Sequence, residues 1–314
     1  MNPPETARTA NASPRFDPAG RVCVVTGAAG GIGAALVRAL GAAGASVIVA
    51  ADLDEGHMAS VADVLRSEIP ETELIGVGLD VTDRDSTRDL VDRLGTRHGG
   101  IDLWCANAGI GTAGGVDTDP QLWQRTWEVN VLAHVHAADA LLPGWTERGR
   151  GHLLVTASAA GLLTNLGDAP YSVTKHGAVA FAEWLAIAHG HAGIGVTCLC
   201  PQGVRTAMVF GDEADEFASL RSTSLDSTEP NQMDSTDRDE ALALQVVRDK
   251  GVIEPGEVAR CALEALREGR FLALPHPEVA GYEQKRAADR DRWILGMRRL
   301  QAQLDGRAPD PPAG

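Results

Sequence analysis

The sequence predicts an α/β protein: a doubly wound, mostly parallel seven-stranded sheet with helices on both faces and a C-terminal helical extension. Three observations predict it. Seven short runs rich in Val, Ile, Leu and Ala recur along the chain, several almost continuously apolar, as expected of strands covered on both faces. Longer segments with apolar residues at helical spacing separate them, and strand–helix alternation on this scale builds a parallel sheet. The length of 314 residues suits one α/β domain of about 250 residues with extensions. The expected division is a leader at 1–20, one domain at 21–276 with an insertion at 210–250, and a helix and tail at 277–314.

The elements follow in order. Residues 1–20 are rich in Pro, Ala and Thr without an apolar run, which reads as a disordered leader and not a secretory signal. Strands are expected at 22–26, 46–50, 74–79, 103–106, 152–156, 195–200 and 271–274, with helices at 32–43, 56–68, 84–98 and 171–189. The pattern breaks at 210–250, which is strongly acidic and rich in Ser and Thr; a lid over the site and a solvated insertion are equally compatible with that composition. Residues 278–304 form a charged helical stretch with a stripe of Trp293, Ile294, Met297 and Leu300, suited to packing on its own domain or a sister subunit.

A net charge of −15 argues against nucleic acid or an anionic membrane as the main partner. No apolar run approaches the roughly 20 residues needed to span a bilayer. The five cysteines fit no zinc spacing, and Cys198 and Cys200 share one face of a strand, which reads as buried free thiols in a cytoplasmic protein. His134 and His136, two apart on a helix, face different sides, and His176 and His189 read as ordinary helix residues, so no metal site is expected.

The first strand runs into Thr26-Gly27-Ala28-Ala29-Gly30-Gly31-Ile32-Gly33 before a helix. Glycines there let the backbone turn tightly and approach a pyrophosphate, while the helix N-terminus offers free N–H groups. A tight strand-to-helix turn alone would also explain them. The second strand ends at Asp52, about 20 residues on, where a carboxylate accepts from ribose hydroxyls and repels a 2′-phosphate. Asp52 as a mere turn cap, or Asp54 in the ribose role, are the competing readings. Neither Arg nor Lys adjoins either position, which favours NAD over NADP.

Tyr171 and Lys175 stand four apart in a chain with two tyrosines and three lysines. On a helix they share a face, so the ammonium lies beside the phenol and should pull its pKa toward working pH, fitting it for proton exchange with a carbonyl oxygen. A surface i,i+4 pair is the plain alternative.

With both motifs in one α/β pattern, the chain resembles the short-chain dehydrogenase/reductase family on a Rossmann fold, from about residue 21 to 274. The resemblance implies cofactor contacts at Gly27, Ala29, Gly31, Ile32, Gly33, Asp52 and Leu53. It further implies adenine contact at Asp80-Val81, a sheet-steadying role for Asn107-Ala108-Gly109, and nicotinamide contact at Pro201, Gly203, Val204 and Thr206. Asn130 matches the helix asparagine that holds a water in the proton relay. Ser158, thirteen residues before Tyr171, matches the serine that stabilises the substrate oxygen. Tyr171 and Lys175 complete the catalytic set and also hold the nicotinamide ribose. Two departures stand out: Pro201-Gln202-Gly203 replaces Pro-Gly, and Ala157-Ser158 replaces a common Ser-Ser.

The resemblance therefore implies an NAD-dependent oxidoreductase that interconverts a secondary alcohol and a ketone, acting as a homodimer or homotetramer. The loops at 110–120 and 159–170 carry no Arg or Lys and suggest a small, uncharged, apolar substrate; Arg205 is the nearest basic candidate. A catalytically idle nucleotide sensor or scaffold on the same fold is the alternative from another class. Epimerisation or dehydration usually goes with a longer C-terminal domain.

Overall fold

The computed structural model describes residues 13–220 and 251–307. Seven strands form one sheet: β1 (Val22–Thr26), β2 (Val47–Asp52), β3 (Glu73–Gly78), β4 (Leu103–Ala106), β5 (Gly151–Thr156), β6 (Ile194–Leu199) and β7 (Leu272–Ala273). Their order is β3-β2-β1-β4-β5-β6-β7, and every pairing among the described residues is parallel. The order reverses between β1 and β4. The crevice beyond the carboxyl ends of these two strands is where such a sheet binds ligands.

Alternate residues of each strand serve opposite cores, as the period of two requires. Ile48 and Ala50 pack with α1 (Gly31–Ala42), α2 (Glu55–Glu68) and α9 (Pro255–Glu268) through Leu36, Leu40, Val61 and Leu266. Val47, Val49 and Ala51 pack with α3 (Arg84–His98), α5 (Ala133–Arg148) and α7 (Ala169–His189) through Leu90, Leu141, Ala178 and Leu185. Each fully buried Leu or Val contributes about 1.5–3 kcal/mol. Trp145, fully enclosed, donates its indole N–H to Ile101 O at 2.7 Å, so the largest core side chain leaves no polar group unmet.

Short polar residues fix where the helices begin. Asp54 accepts from His57 N, Asp83 from Ser86 N and Asp168 from Tyr171 N, each capping the first turn of its helix. The α1 N-terminus is different: Gly30 supplies no side-chain cap.

Three features depart from or go beyond the expectations drawn from sequence. Part of the supposed leader is packed: Ser13 Oγ accepts from Val196 N at 2.7 Å, and Phe16 N donates to Leu266 O at 2.9 Å. Residues 13–20 thus bridge β6 and α9, while 1–12 lie outside the described residues. The segment after β4 forms α4 (Pro120–Trp127), a π-helical turn (Glu128–Leu132) and then α5. The C-terminal stretch is two helices, α10 (Glu278–Ala288) and α11 (Arg290–Leu304), because Asp289 leaves helical geometry and caps the second. Of the acidic insertion, only the part up to Leu220 is described; it holds α8 (Ala207–Phe210) and two 3₁₀ turns, and the reading of 221–250 as a lid lies outside the described residues.

Candidate active site

The glycine loop is locked by its neighbours on β4. Asn107 Nδ2 donates to Thr26 O at 3.0 Å and Gly27 O at 3.2 Å, while Thr26 Oγ1 accepts from Asn107 N and Ala108 N. Gly27 has φ 64°, and a Cβ on it would lie 2.9 Å from Ala108 Cα, so two constraints select glycine. A Cβ on Gly33 would lie 1.9 Å from Gly27 O; only glycine lets α1 begin this close to β1. The result is a helix N-terminus, uncapped by any side chain, facing the crevice. This is the cradle a pyrophosphate requires.

Asp52 stands at the end of β2 with one oxygen accepting from Ala29 N (2.9 Å) and the other from Leu53 N (2.8 Å). The carboxylate thereby joins the glycine loop to the β2 terminus. Asp54 is occupied in capping α2. Leu53, 63% exposed, puts no charge next to it. Asp80 is held below its ordinary value: hydrogen bonds from Thr82 and the Arg125 charge outweigh its partial burial. Val81 packs at the edge of the core beside it.

Tyr171 and Lys175 lie on α7, one turn apart, with Lys175 Nζ 5.5 Å from the Tyr171 ring centroid. Lys175 is 2% exposed and donates to Thr156 O at 3.0 Å, at the end of β5. Ser158, two residues further along, accepts from Ala160 N at 3.1 Å, donates to Pro201 O at 3.4 Å and hydrogen-bonds the Tyr171 side chain. A Cβ on Gly109 would come within 3.2 Å of both Lys175 Nζ and Asn130 Oδ1, so glycine there keeps the lysine and asparagine close to the β4 loop.

The electrostatics correct one expectation. Burial pushes the Tyr171 phenol up to about 12, and the Ser158 hydrogen bond offsets this only in part. Burial likewise lowers Lys175 to about 8. Desolvation is the largest influence on Tyr171, and the Lys175 ammonium gives its hydrogen bond to Thr156. Beneath them His134 is buried and driven down to about 3 by the same effect, with Lys175 contributing.

Asn130, fully buried in the π-helical turn, makes three side-chain hydrogen bonds. Oδ1 accepts from Ile110 N (2.9 Å); Nδ2 donates to Ile110 O (2.9 Å) and Thr174 Oγ1 (3.1 Å). The side chain is a clamp between α7 and the loop after β4.

The loops after β4, β5 and β6 converge over Tyr171. Gly114 N donates to Gly167 O and Ala169 N to Gly114 O, both at 2.9 Å, so the first two loops form one wall. Leu162 and Leu163 of α6 (Ala160–Leu163) are buried behind it. Met208 on α8, 55% exposed, approaches Gly111 from the opposite side. Arg205 pairs with Glu254 at 3.0 Å and stacks over Phe210, so it points to the surface and away from this wall. The Thr206 methyl lies 2.9 Å from where a Gly31 Cβ would be, closing the glycine loop from the β6 side. The extra Gln202 turns its N–H to His276 Nδ1 at 3.1 Å, and Gly203 O accepts from Ile253 N. Val204 bridges Ile253.

Sequence reading missed Asp168, whose carboxylate meets both the wall and α7. The signal was present in Asp168-Ala169-Pro170, an N-cap followed by Pro in the first turn.

This crevice, glycine cradle and Tyr–Lys–Ser cluster define a nucleotide-binding oxidoreductase fold. The chain belongs to the short chain dehydrogenase family, whose model matches residues 21–216. It is 37% identical over 201 residues to a 1-deoxy-11-beta-hydroxypentalenate dehydrogenase of Streptomyces exfoliatus, covering 61% of this chain and 70% of the relative. It is 33% identical over 201 residues to (+)-borneol dehydrogenase 1 of Salvia officinalis, covering 62% and 74%. A short-chain dehydrogenase/reductase from Burkholderia phymatum, solved in complex with NAD, superposes with a TM-score of 0.74 at 28% identity, covering 95% of this chain and 99% of that one.

Proposed function

We propose that the chain is an NAD-dependent dehydrogenase that interconverts a ring-borne secondary alcohol and its ketone. The observation that carries this reading is the meeting of Tyr171, Ser158 and Lys175 at the carboxyl ends of β5 and β6, beside the glycine cradle. The residues present fit a dinucleotide: an uncapped helix start for the pyrophosphate, Asp52 for the adenosine ribose, and Lys175 with Tyr171 for the second ribose. NAD would supply the hydride acceptor or donor.

The chain's own groups do the rest. Tyr171 takes the hydroxyl proton of the alcohol or returns it to the ketone. Ser158 donates a hydrogen bond to the substrate oxygen as charge develops there. Lys175, anchored at Thr156, holds a positive charge one helical turn from the phenol. Asn130 locks the loop after β4 against α7, and a water on its main chain would connect Lys175 to solvent.

The preference for NAD rests on Asp52 beside uncharged Leu53, and on the NAD bound by the Burkholderia phymatum relative. The preference for a ring alcohol rests on exposed Met208 beside Gly111 and on relatives named for borneol and for a hydroxypentalenate. A cytoplasmic homodimer or homotetramer is the matching assembly, with exposed Val173, Trp184 and Ile187 on α7 as its apolar surface.

The test is absorbance at the NADH band with borneol, a 3β-hydroxysteroid, cyclohexanol and a linear secondary alcohol, run with NAD and NADP in parallel. Turnover of a ring alcohol with NAD supports the reading. Turnover confined to NADP or to the linear alcohol contradicts its finer parts, and silence with NADH still binding contradicts the substrate class.

A further inference from the structure

One carboxylate ties the pocket wall to the helix that carries Tyr171. Asp168 is 7% exposed and accepts four hydrogen bonds. Thr112 N and Ala113 N donate to Oδ2, both at 3.0 Å; Thr112 Oγ1 and Tyr171 N donate to Oδ1, both at 2.9 Å. Four donors match the roughly four lone-pair sites of an ionised carboxylate. Ala113 has φ 52°, a left-handed backbone that disfavours a residue with a Cβ. Its N–H is among those Asp168 holds. Gly111, two residues earlier, lies beside Met208, whose Cγ is 3.8 Å from where a Gly111 Cβ would be.

We propose that Asp168 is a positioning residue that makes residues 111–114 and the N-terminus of α7 one unit, so that the shape of the alcohol-binding wall and the placement of Tyr171 are set together. The proposal rests on Tyr171 being the proton-transfer group. A helix cap alone would not require an aspartate, since asparagine caps equally well. Asparagine, however, has one acceptor oxygen. With that oxygen on Tyr171 N, its NH₂ group would face the Thr112 and Ala113 N–H donors, and the wall would come free while the helix stayed capped.

The carboxylate has an electrostatic consequence too. The groups that act on the phenol are Ser158 after β5, Asp168 at the start of α7 and Cys200 at the end of β6, with Lys175 on the same face of α7. Asp168 carries the negative charge of this set and opposes formation of the phenolate.

Amide hydrogen exchange and tyrosinate absorbance of the full chain, each without substrate, test the proposal in Asp168→Asn. The expected result is exchange about tenfold or more faster at Thr112 and Ala113, the scale of one lost charge-assisted hydrogen bond. Tyr171 N and the β5 amides should keep their protection. Tyr171, identified by subtracting Tyr171→Phe in this two-tyrosine chain, should ionise at lower pH than in wild type. Either quantity at its wild-type value overturns the proposal. Should Asp168→Asn fail to fold, Thr112→Val removes one of the four bonds and should speed exchange at the same amides; unchanged exchange there overturns it equally. Turnover by Tyr171→Phe would contradict the catalytic reading without touching the exchange result. Unchanged exchange beside an inactive Tyr171→Phe would sink the clamp alone.

Discussion

Lys175 Nζ donates to the Thr156 carbonyl at 3.0 Å, pinning the ammonium to the end of β5 beneath the glycine loop side of the crevice. The lysine is thus held by the sheet itself, not by a carboxylate, and its charge remains unneutralised. Burial lowers its pKa to about 8 for that reason.

This state has a signature in stability. The folded pKa of Lys175 is depressed from 10.5 to about 8, so between these values the unfolded chain binds the extra proton and stability rises with pH. Below pH 8 the full penalty of the buried ammonium is present. Wild type should therefore gain stability relative to Lys175→Met as pH climbs from 8 to 10.5, read from urea midpoints of the two proteins. A difference that does not vary with pH in this window would contradict a buried, unneutralised lysine.

Tyr171 titrates in the opposite sense. Its pKa is raised from 10.0 to about 12, so stability falls as pH rises through that interval, where the unfolded chain loses the phenolic proton first. Tyrosinate absorbance of the free chain, with Tyr171→Phe subtracted, should show no Tyr171 ionisation at pH 10. Adding NAD should bring it to lower pH, because a positive charge beside the phenol favours the anion. The same titration with and without NAD would show that the cofactor does not lie next to Tyr171.

The glycine cradle is sterically exact at Gly33, where a Cβ would meet Gly27 O at 1.9 Å. Gly33→Ala should destabilise the fold by about 1–3 kcal/mol through overpacking and weaken NADH binding as α1 shifts. Thermal melting and NADH fluorescence measure both. An unaltered NADH affinity would remove the loop from the cofactor site.

Asp52 is held by Ala29 N and Leu53 N at the end of β2, beside the glycine loop. Asp52→Ala should narrow the preference for NADH over NADPH by about tenfold, the scale of one hydrogen bond to a charged group. Competitive fluorescence titration with the two cofactors gives the ratio. If it does not move, another residue discriminates.

Much of this was written locally in the sequence. The apolar runs at Val22–Thr26 and Leu103–Ala106 became strands with those bounds, since a doubly covered parallel sheet admits only such runs. The helix at 84–98 was legible from its periodicity, and the Tyr171–Lys175 spacing placed both groups on one face of α7. What escaped depends on contacts distant in sequence. The π-helical turn at Asn130 is shaped by hydrogen bonds to Ile110 and Thr174, twenty and forty-four residues away. The ordering of Ser13 and Phe16 rests on β6 and α9. The rise of the Tyr171 pKa came from burial, which helical spacing does not reveal. Lys175 spends its hydrogen bond on Thr156, a partner visible only once β5 and α7 are packed.

The most direct test of the account is Tyr171→Phe, assayed for NADH formation from NAD and a ring alcohol alongside NADH binding by fluorescence. The account predicts that turnover falls by about 10²–10⁴, the usual contribution of a positioned acid/base, while NADH still binds. Turnover at the wild-type rate would contradict Tyr171 as the proton-transfer group and with it the central claim.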